Sequence, residues 1–277
     1  MIKLVCDSIS DMPKELIEKY DIDMLPLRVI IEGKEYLAGI EIDNDEYYKI
    51  LKTSETIPTT SQVTYIDFKE KFEEYTTKGI DILYIGGSSK ASGTFQSAVM
   101  ASRDVSGPGR VHVFDTGLLS VASGLFVMKA AMLKEEGLRI EDIIKELELL
   151  QGKENIAFFV DDLKFLQKGG RISSVKASIG SLLKITPILT IKDGLVVQDG
   201  TVRGKKGAFN ALINANGINE SVSGKTIFIG YCENEESAIE LENKIKEIAN
   251  NNNIYRVKIG AGVSTHSGPS IIGIASI

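Results

Sequence analysis

The sequence has no tryptophan, only two cysteines in 277 residues, and no run of Lys or Arg longer than two residues. Cys6 and Cys232 cannot form the framework of a disulfide-stapled protein, and in a reducing compartment we expect both to be free and buried. The formal net charge is −6. Because basic patches are missing and the charge is negative, the composition argues against a nucleic-acid partner.

Long apolar runs are missing as well. A membrane-spanning helix needs roughly 20 mostly apolar residues, whereas the longest apolar uncharged run covers only residues 116–128 and contains Gly, Ser and Thr. Residues 259–277 are uncharged, but Gly, Ser, Pro and His interrupt them. Asp7 and Asp11 come too early for the apolar region of a signal peptide. We therefore expect a cytoplasmic protein.

What the chain has in abundance is aliphatic side chains. Hydrophobic residues make up 43%, 36 residues are Ile, and 25% are charged, a composition typical of a globular protein with a large core. At about 150 residues per domain, the length favours two domains. We place the boundary in the polar segment 151–154, which gives domains of residues 1–153 and 154–277.

Strand-like and helix-like apolar periods alternate through the first domain. Buried strands predicted at 2–5, 80–85 and 111–114 have helices between them, which favours a parallel sheet covered by helices. Strand formers on both sides of Gly33 predict a small β-ribbon insert over about 24–42. In the second domain, Lys192-Asp193-Gly194 is a strong hairpin signal. The fold class is therefore α/β, with a mixed or antiparallel second sheet.

Three acidic residues have structural and functional interpretations. Asp11, followed by Pro13, predicts the N-cap of a helix that ends near Tyr20. Asp161-Asp162 at a strand end could hold Mg²⁺, although a helix N-cap is the favoured interpretation. Two histidines and two distant cysteines make no usual zinc site. We predict no metal and no cofactor.

Two hydroxyl-rich segments are candidate anion sites. Residues 86–94 leave a strand and open a helix, so their backbone N–H groups and the Ser92 hydroxyl could bind an anion. A strand-to-helix turn capped by Ser is the alternative. Thr60-Ser61-Gln62 precedes an amphipathic helix predicted at 65–77, and here a plain loop is the alternative.

A histidine and an arginine complete the candidate residues. His266 lies in a loop of small residues and could donate a hydrogen bond to an anion, whereas His112 is predicted as a sheet residue. Arg171 follows a glycine pair and could clamp an anion or be solvated. Ser173 and Lys176 match Ser-x-x-Lys, but the companion motifs are absent.

A catalytic interpretation stays open beside a binding one. Ser92 with His266 could serve a hydrolase or transferase acting on acyl groups. The sequence offers no Gly-x-Ser-x-Gly elbow and no identifiable acid to orient the histidine. A sensor of small anions is a third interpretation.

Taken in order, these segments resemble the DegV family. Each is weak alone, but their order over one chain is specific. The matching segments are Cys6-Asp7-Ser8, Thr60-Ser61-Gln62, residues 88–96, Phe114-Asp115-Thr116, residues 163–172, Ile259-Gly260 and residues 265–269. Val63, Thr186, Ser267 and Ser270 differ from the family pattern, and none of them removes a proposed carboxylate ligand.

The resemblance implies a two-domain α/β protein that holds one long-chain fatty acid, such as palmitate, stearate or oleate, between its domains. It implies that Arg171 serves phosphotransfer or kinase contact. It further implies that the fatty acid carboxylate is bound by Thr60, Ser61, Ser92, Gly93 and His266. Each buried CH₂ contributes about 0.8 kcal/mol, so an acyl tail of about 16 carbons could supply roughly 10 kcal/mol before ordering costs.

The resemblance also implies a role in bacterial phospholipid synthesis. DegV proteins of this kind present the carboxylate to a separate, ATP-dependent fatty acid kinase subunit and carry the acyl phosphate to an acyltransferase. The chain is then not catalytic alone. We expect a monomer that has no nucleic-acid partner and can contact a membrane transiently.

Overall fold

Strands and helices alternate along the chain in a computed structural model that describes residues 1–54, 56–172, 185–221 and 223–277. The strands are β1 (Ile2–Asp7), β2 (Ile22–Leu25), β3 (Arg28–Ile31), β4 (Lys34–Leu37), β5 (Thr59–Ser61), β6 (Asp81–Gly86), β7 (Val111–Asp115), β8 (Asn155–Phe159), β9 (Ile185–Lys192), β10 (Leu195–Arg203), β11 (Thr226–Tyr231), β12 (Asn253–Lys258) and β13 (Ile272–Ser276). The helices are α1 (Lys14–Lys19), α2 (Asn44–Thr53), α3 (Tyr65–Thr76), α4 (Thr94–Ser102), α5 (Val121–Glu135), α6 (Ile140–Leu150), α7 (Lys164–Gly169), α8 (Gly204–Ala215), α9 (Glu235–Ile248) and α10 (Ala261–Ser267).

The N-terminal part is built on a parallel four-stranded sheet in the order β2-β1-β6-β7. Phe68 of α3 and Ala98 of α4 pack on one face, while Leu125 of α5 packs on the other. Helices on both faces explain why β1 and β6 are buried along nearly their whole length. The predicted parallel sheet is confirmed, and His112 lies in β7 opposite Leu83, as predicted.

The β-ribbon is smaller and has one more strand than predicted. Residues 24–25 belong to β2 of the parallel sheet, because Pro26 has no N–H to continue the strand. The hairpin spans β3 and β4, and its turn residues Glu32 and Gly33 both have positive φ, at 50° and 82°, as a tight two-residue hairpin requires. A third strand, β5, pairs with β3, so the loop interpretation of Thr60-Ser61 was wrong.

The C-terminal part contains a mixed six-stranded sheet in the order β10-β9-β8-β13-β11-β12. Only β11 and β12 pair in parallel among its neighbouring described strands. The predicted hairpin joins β9 to β10 through Asp193 and Gly194, with φ of 52° and 81°. The prediction of a mixed or antiparallel second sheet is therefore confirmed.

Helix α5 joins the two sheets. Its side chains share one apolar cluster with residues of both sheets, such as Leu4 of β1 and Phe228 of β11. A second cluster, formed with Phe209 of α8 and Leu241 of α9, covers the other face of the six-stranded sheet. Because α5 lies between the sheets, the space beside its first turn is bounded by both parts of the chain.

Several local predictions were wrong. Asp11 is not the N-cap of α1, because Pro13 occupies that position and Asp11 ends a short 3₁₀ turn with a φ of 46°. Helices α2, α8 and α10 were not predicted.

Cys6 and Cys232 are free and buried, as expected. In the described ranges, no helix is both long and apolar enough to cross a bilayer.

Candidate functional site

A cavity of about 860 Å³, including the open space at its mouth, lies where the six-stranded sheet meets loops and short elements of the N-terminal part. We call it the central cavity. Most of its lining residues are apolar, and about half of the lining comes from α5, β8, β11, β13 and α10. Four polar side chains predicted from the sequence line it: Thr60, Ser92, Arg171 and His266. The fold therefore brings together residues that are up to 206 positions apart in the chain.

Thr60 and His266 form the centre of this polar group. The Oγ1 atom of Thr60 lies 2.8 Å from Nε2 of His266. Thr60 is held by β5, where it pairs with Val29 of β3. His266 lies in the last turn of α10 rather than in a loop, so both side chains are fixed by regular structure. Ser61 is the next residue of β5 and points to the opposite face of that strand.

The imidazole of His266 packs directly against Gly169, where any side chain would collide with it. A Cβ atom built on Gly169 would lie 2.5 Å from Nδ1 of His266, which is closer than a side chain can approach. Burial, and secondarily the charge of Arg171, lowers the pKa of His266 to about 4. At neutral pH the imidazole is therefore uncharged, so it has one N–H donor and one acceptor nitrogen.

Arg171 is anchored by backbone carbonyl groups. Its Nε donates to the carbonyl oxygen of Ala91 at 3.1 Å, and its Nη1 donates to that of Gly169. Gly170, in the left-handed conformation at a φ of 69°, turns the chain at the end of α7 so that Arg171 faces the cavity. These two bonds use two of the five N–H groups of the guanidinium.

Ser92 approaches the cavity from the loop before α4. Its hydroxyl accepts a hydrogen bond from the Thr94 N–H at 3.2 Å and donates to the Thr94 hydroxyl oxygen at 3.0 Å. Gly93 leaves room for its neighbour, since a Cβ there would lie 1.9 Å from the side-chain oxygen of Gln62. Gly93 therefore shapes the loop, while the hydroxyl of Ser92 faces the cavity.

Most backbone N–H groups of this loop are bonded within the protein, that of Ser88 to the carbonyl oxygen of Leu118. The N–H groups of Ala91 and Ser92 both donate to the carbonyl oxygen of Ser88 at 3.1 Å. That of Lys90 donates to the Ser88 hydroxyl, and that of Ser89 to the Asp115 carboxylate. Because these donors already have partners, the side chain of Ser92 is better placed than the N–H groups of residues 88–92 to make a polar contact in the cavity.

The catalytic interpretation finds little support in this geometry. In the described part of the chain, neither nitrogen of His266 is hydrogen-bonded to Ser92 or to a carboxylate. A serine nucleophile needs an adjacent base, which in turn needs an orienting partner. Ser173 and Lys176, the other nucleophile pattern, lie outside the described residues. Asp162 accepts a hydrogen bond from the Lys164 N–H at 2.8 Å, but it lies one residue before the N-cap of α7, which is Leu163.

Sequence reasoning missed a buried carboxylate behind the cavity wall. The side chain of Asp11 accepts hydrogen bonds from the Ser120 hydroxyl at 2.6 Å and from the Gly260 N–H at 2.7 Å. Ser120 lines the central cavity and precedes α5, while Gly260 precedes α10. Asp11 thus joins the starts of two helices that form the cavity. No local pattern around Asp11 indicates partners more than 100 positions away.

Comparison with known proteins places this fold and cavity in a family. A family model described as "Uncharacterised protein, DegV family" matches residues 1–277. The chain belongs to the DegV family. This DegV family member is 35% identical over 282 residues to a fatty acid-binding protein of Thermotoga maritima, and the match covers 98% of this chain and 96% of that protein.

Solved structures of other family members are similar along their whole length. One is the crystal structure of DegV, a fatty acid binding protein from Bacillus subtilis, with a TM-score of 0.90, 34% identity and coverage of 99% of this chain and 98% of that chain. Another is a stearic acid-binding protein from Eubacterium ventriosum, with a TM-score of 0.87, 25% identity and coverage of 100% and 98%. The α/β fold with two sheets is therefore the DegV fold.

Proposed function

We propose that the chain binds one long-chain fatty acid in the central cavity, with the carboxylate at Thr60, Ser92 and His266. The observation that carries this proposal is the polar group that these residues form, with Arg171, in an otherwise apolar cavity. Relatives named for fatty acid or stearic acid binding support the ligand class. The ligand would lie between the domains that we propose, residues 1–153 and 154–277.

The carboxylate would be bound mainly by uncharged donors. If Nε2–H of His266 donates to Thr60 Oγ1, the Thr60 hydroxyl hydrogen can turn to the carboxylate. The Ser92 hydroxyl accepts from the Thr94 N–H and donates to the Thr94 hydroxyl oxygen, so its hydrogen would turn from Thr94 to the carboxylate. A buried carboxylate is costly unless it is hydrogen-bonded, and the nearby guanidinium of Arg171 offsets its charge. Ser61 and Gly93 would shape this end of the cavity from outside the contact.

The acyl tail would contribute most of the binding free energy. Each buried CH₂ contributes about 0.8 kcal/mol, whereas a hydrogen bond to a charged group contributes about 1.5–3 kcal/mol. A tail of about 16 carbons therefore outweighs the carboxylate contacts even after ordering costs. The polar group would then fix the orientation of the fatty acid with its carboxylate end beside Arg171.

We further propose that the chain presents this carboxylate to a separate ATP-dependent kinase subunit and carries the acyl phosphate to an acyltransferase. The absence of an activated nucleophile among the described residues of the cavity agrees with chemistry performed by a partner. Arg171 is the residue we assign to phosphotransfer or kinase contact, because its guanidinium suits a phosphate as well as a carboxylate.

Fatty acid should be present in the purified protein. We expect native mass spectrometry to show one long-chain fatty acid per chain, and organic extraction to release it for identification. Delipidated protein should take up added palmitate or oleate at one equivalent. A protein that carries no fatty acid and takes up neither compound would contradict the proposed function.

Replacement of Arg171 should separate binding from presentation. We expect Arg171→Gln to bind fatty acid at saturating concentration, because tail burial dominates affinity. With the kinase subunit and ATP, acyl phosphate formation should fall by at least about tenfold, the effect of losing one charge-assisted contact. Arg203→Gln, a change at an exposed residue just before α8, is the matched control. Equal turnover in both variants would refute the assignment of Arg171.

A further inference from the structure

The apolar wall of the central cavity contains two glycines side by side. Gly230 of β11 lies directly opposite Gly273 of β13, and both line the cavity. Val257 pairs with Gly230 on one side, and Phe158 pairs with Gly273 on the other. Since directly paired residues point to the same face of a sheet, this row has no side chain on two adjacent strands. Neighbouring side chains cover both glycines, and a Cβ atom built on Gly273 would lie 2.5 Å from Cβ of Phe158.

This glycine pair lies far from the polar end of the cavity. The backbone of Arg171 is hydrogen-bonded to Val196 of β10, and β11 is the fourth strand beyond β10 in the sheet order. At about 4.8 Å per strand, the separation across the sheet is roughly 19 Å. Helix α10 runs from the glycine end of the cavity toward the polar end. At its start, the N–H of the N-cap Gly260 donates to Asp11, and its last turn carries His266.

Two side chains close the cavity over Gly230. A Cβ atom built on Gly230 would lie 3.1 Å from Cδ1 of Ile259 and 3.2 and 3.3 Å from the two methyl groups of Val121. Ile259 and Val121 are buried, and both line the cavity. The missing side chain at position 230 is therefore what allows these two residues to lie against the sheet instead of projecting into the cavity.

We propose that Gly230, with Val121 and Ile259 packed over it, sets the longest acyl chain that the cavity accepts. This inference rests on the proposed function, since it places the terminal methyl of the fatty acid at this wall. A methyl group at position 230 displaces Ile259 and Val121 toward the ligand and shortens the cavity. Removal of the Val121 methyl groups lengthens it. Gly230 is then a specificity-determining residue with no part in binding the carboxylate.

The test compares the affinities of delipidated protein for laurate, myristate, palmitate, stearate and arachidate. Each CH₂ that no longer fits lowers affinity by about fourfold. Gly230→Ala should therefore lower the ratio of stearate to myristate affinity by at least about fourfold. Val121→Ala should move the preference toward longer chains. Gly200→Ala in β10, where a Cβ meets no atom within 4 Å, is the matched control and should keep the wild-type profile.

The outcomes separate this inference from the proposed function. If the wild-type protein binds the series but Gly230→Ala and Val121→Ala both keep its length profile, the specificity role is overturned and fatty acid binding stands. If the wild-type protein binds no member of the series, the proposed function itself fails. If Gly230→Ala does not fold, Val121→Ala decides alone, because an unchanged profile in that variant also overturns the inference.

Discussion

Thr60→Val should lower the affinity for a long-chain fatty acid by about 10- to 100-fold, the range for one lost hydrogen bond to a charged group. The Thr60 hydroxyl lies 2.8 Å from Nε2 of His266, so valine removes a donor to the carboxylate and leaves the imidazole without its partner. Valine suits β5 as well as threonine does, because both are β-branched. The measurement is titration of delipidated protein with palmitate.

Thr59→Val is the matched control for this prediction. Thr59 is the exposed neighbour in the same strand, so the same chemical change there should leave the affinity unchanged. A fatty alcohol of equal length should distinguish the two variants much less, because a hydrogen bond from Thr60 to an uncharged hydroxyl contributes less than one to a carboxylate. If Thr60→Val and Thr59→Val have the same palmitate affinity, the polar group does not bind the carboxylate.

The two-sheet architecture was predictable because its signals are local. Apolar runs at 2–5 and 80–85 mark strands of a parallel sheet, and Asp193-Gly194 marks a hairpin whose two φ values are positive. The errors also have a local cause. Residues 24–31 look like one strand, yet Pro26 divides them between two sheets. Strand β5 has only three residues, and its pairing with Val29 is non-local.

The sequence predicted which polar residues line the cavity, but it did not predict how they are arranged or bonded there. Thr60, Ser92, Arg171 and His266 were chosen from residue chemistry and from the family resemblance, and the fold brings them to one cavity. That the N–H groups of the loop at 88–92 are already bonded could not be predicted, because one of the acceptors, Asp115, lies in a different strand. The glycine pair was missed because only strand register places Gly230 beside Gly273.

Asp11 shows most clearly what a local pattern cannot reveal. As an N-cap it would be exposed and ionised, whereas in the structure it is 8% exposed and bonded to Ser120 and Gly260. Burial is the main cause that raises the pKa of Asp11 to about 7, and its two hydrogen bonds oppose that rise. A carboxyl group that prefers to be protonated when folded makes the stability of the protein depend on pH.

Asp11→Asn should remove a pH dependence of stability between about pH 4 and 7. An unfolded Asp ionises near pH 4 and the folded Asp11 near pH 7, so in this window the folded state binds one more proton. The free energy of unfolding therefore falls as pH rises, by about 1.4 kcal/mol per pH unit and about 4 kcal/mol in all. Asparagine cannot ionise, but it can still accept from the Gly260 N–H.

The comparison of the two proteins isolates this effect from other buried groups. Burial also raises the pKa of Asp7, to about 6, which adds to the decline, while the lowered pKa of His266 opposes it. Both contributions are common to wild type and variant, so they cancel in the difference between their urea unfolding free energies at pH 5, 6 and 7. We expect the unfolding free energy of Asp11→Asn, relative to that of the wild type, to increase by about 1 kcal/mol for each unit that the pH rises. Parallel pH profiles would show that Asp11 is ionised in the folded protein and that its contacts with Ser120 and Gly260 are those of a carboxylate.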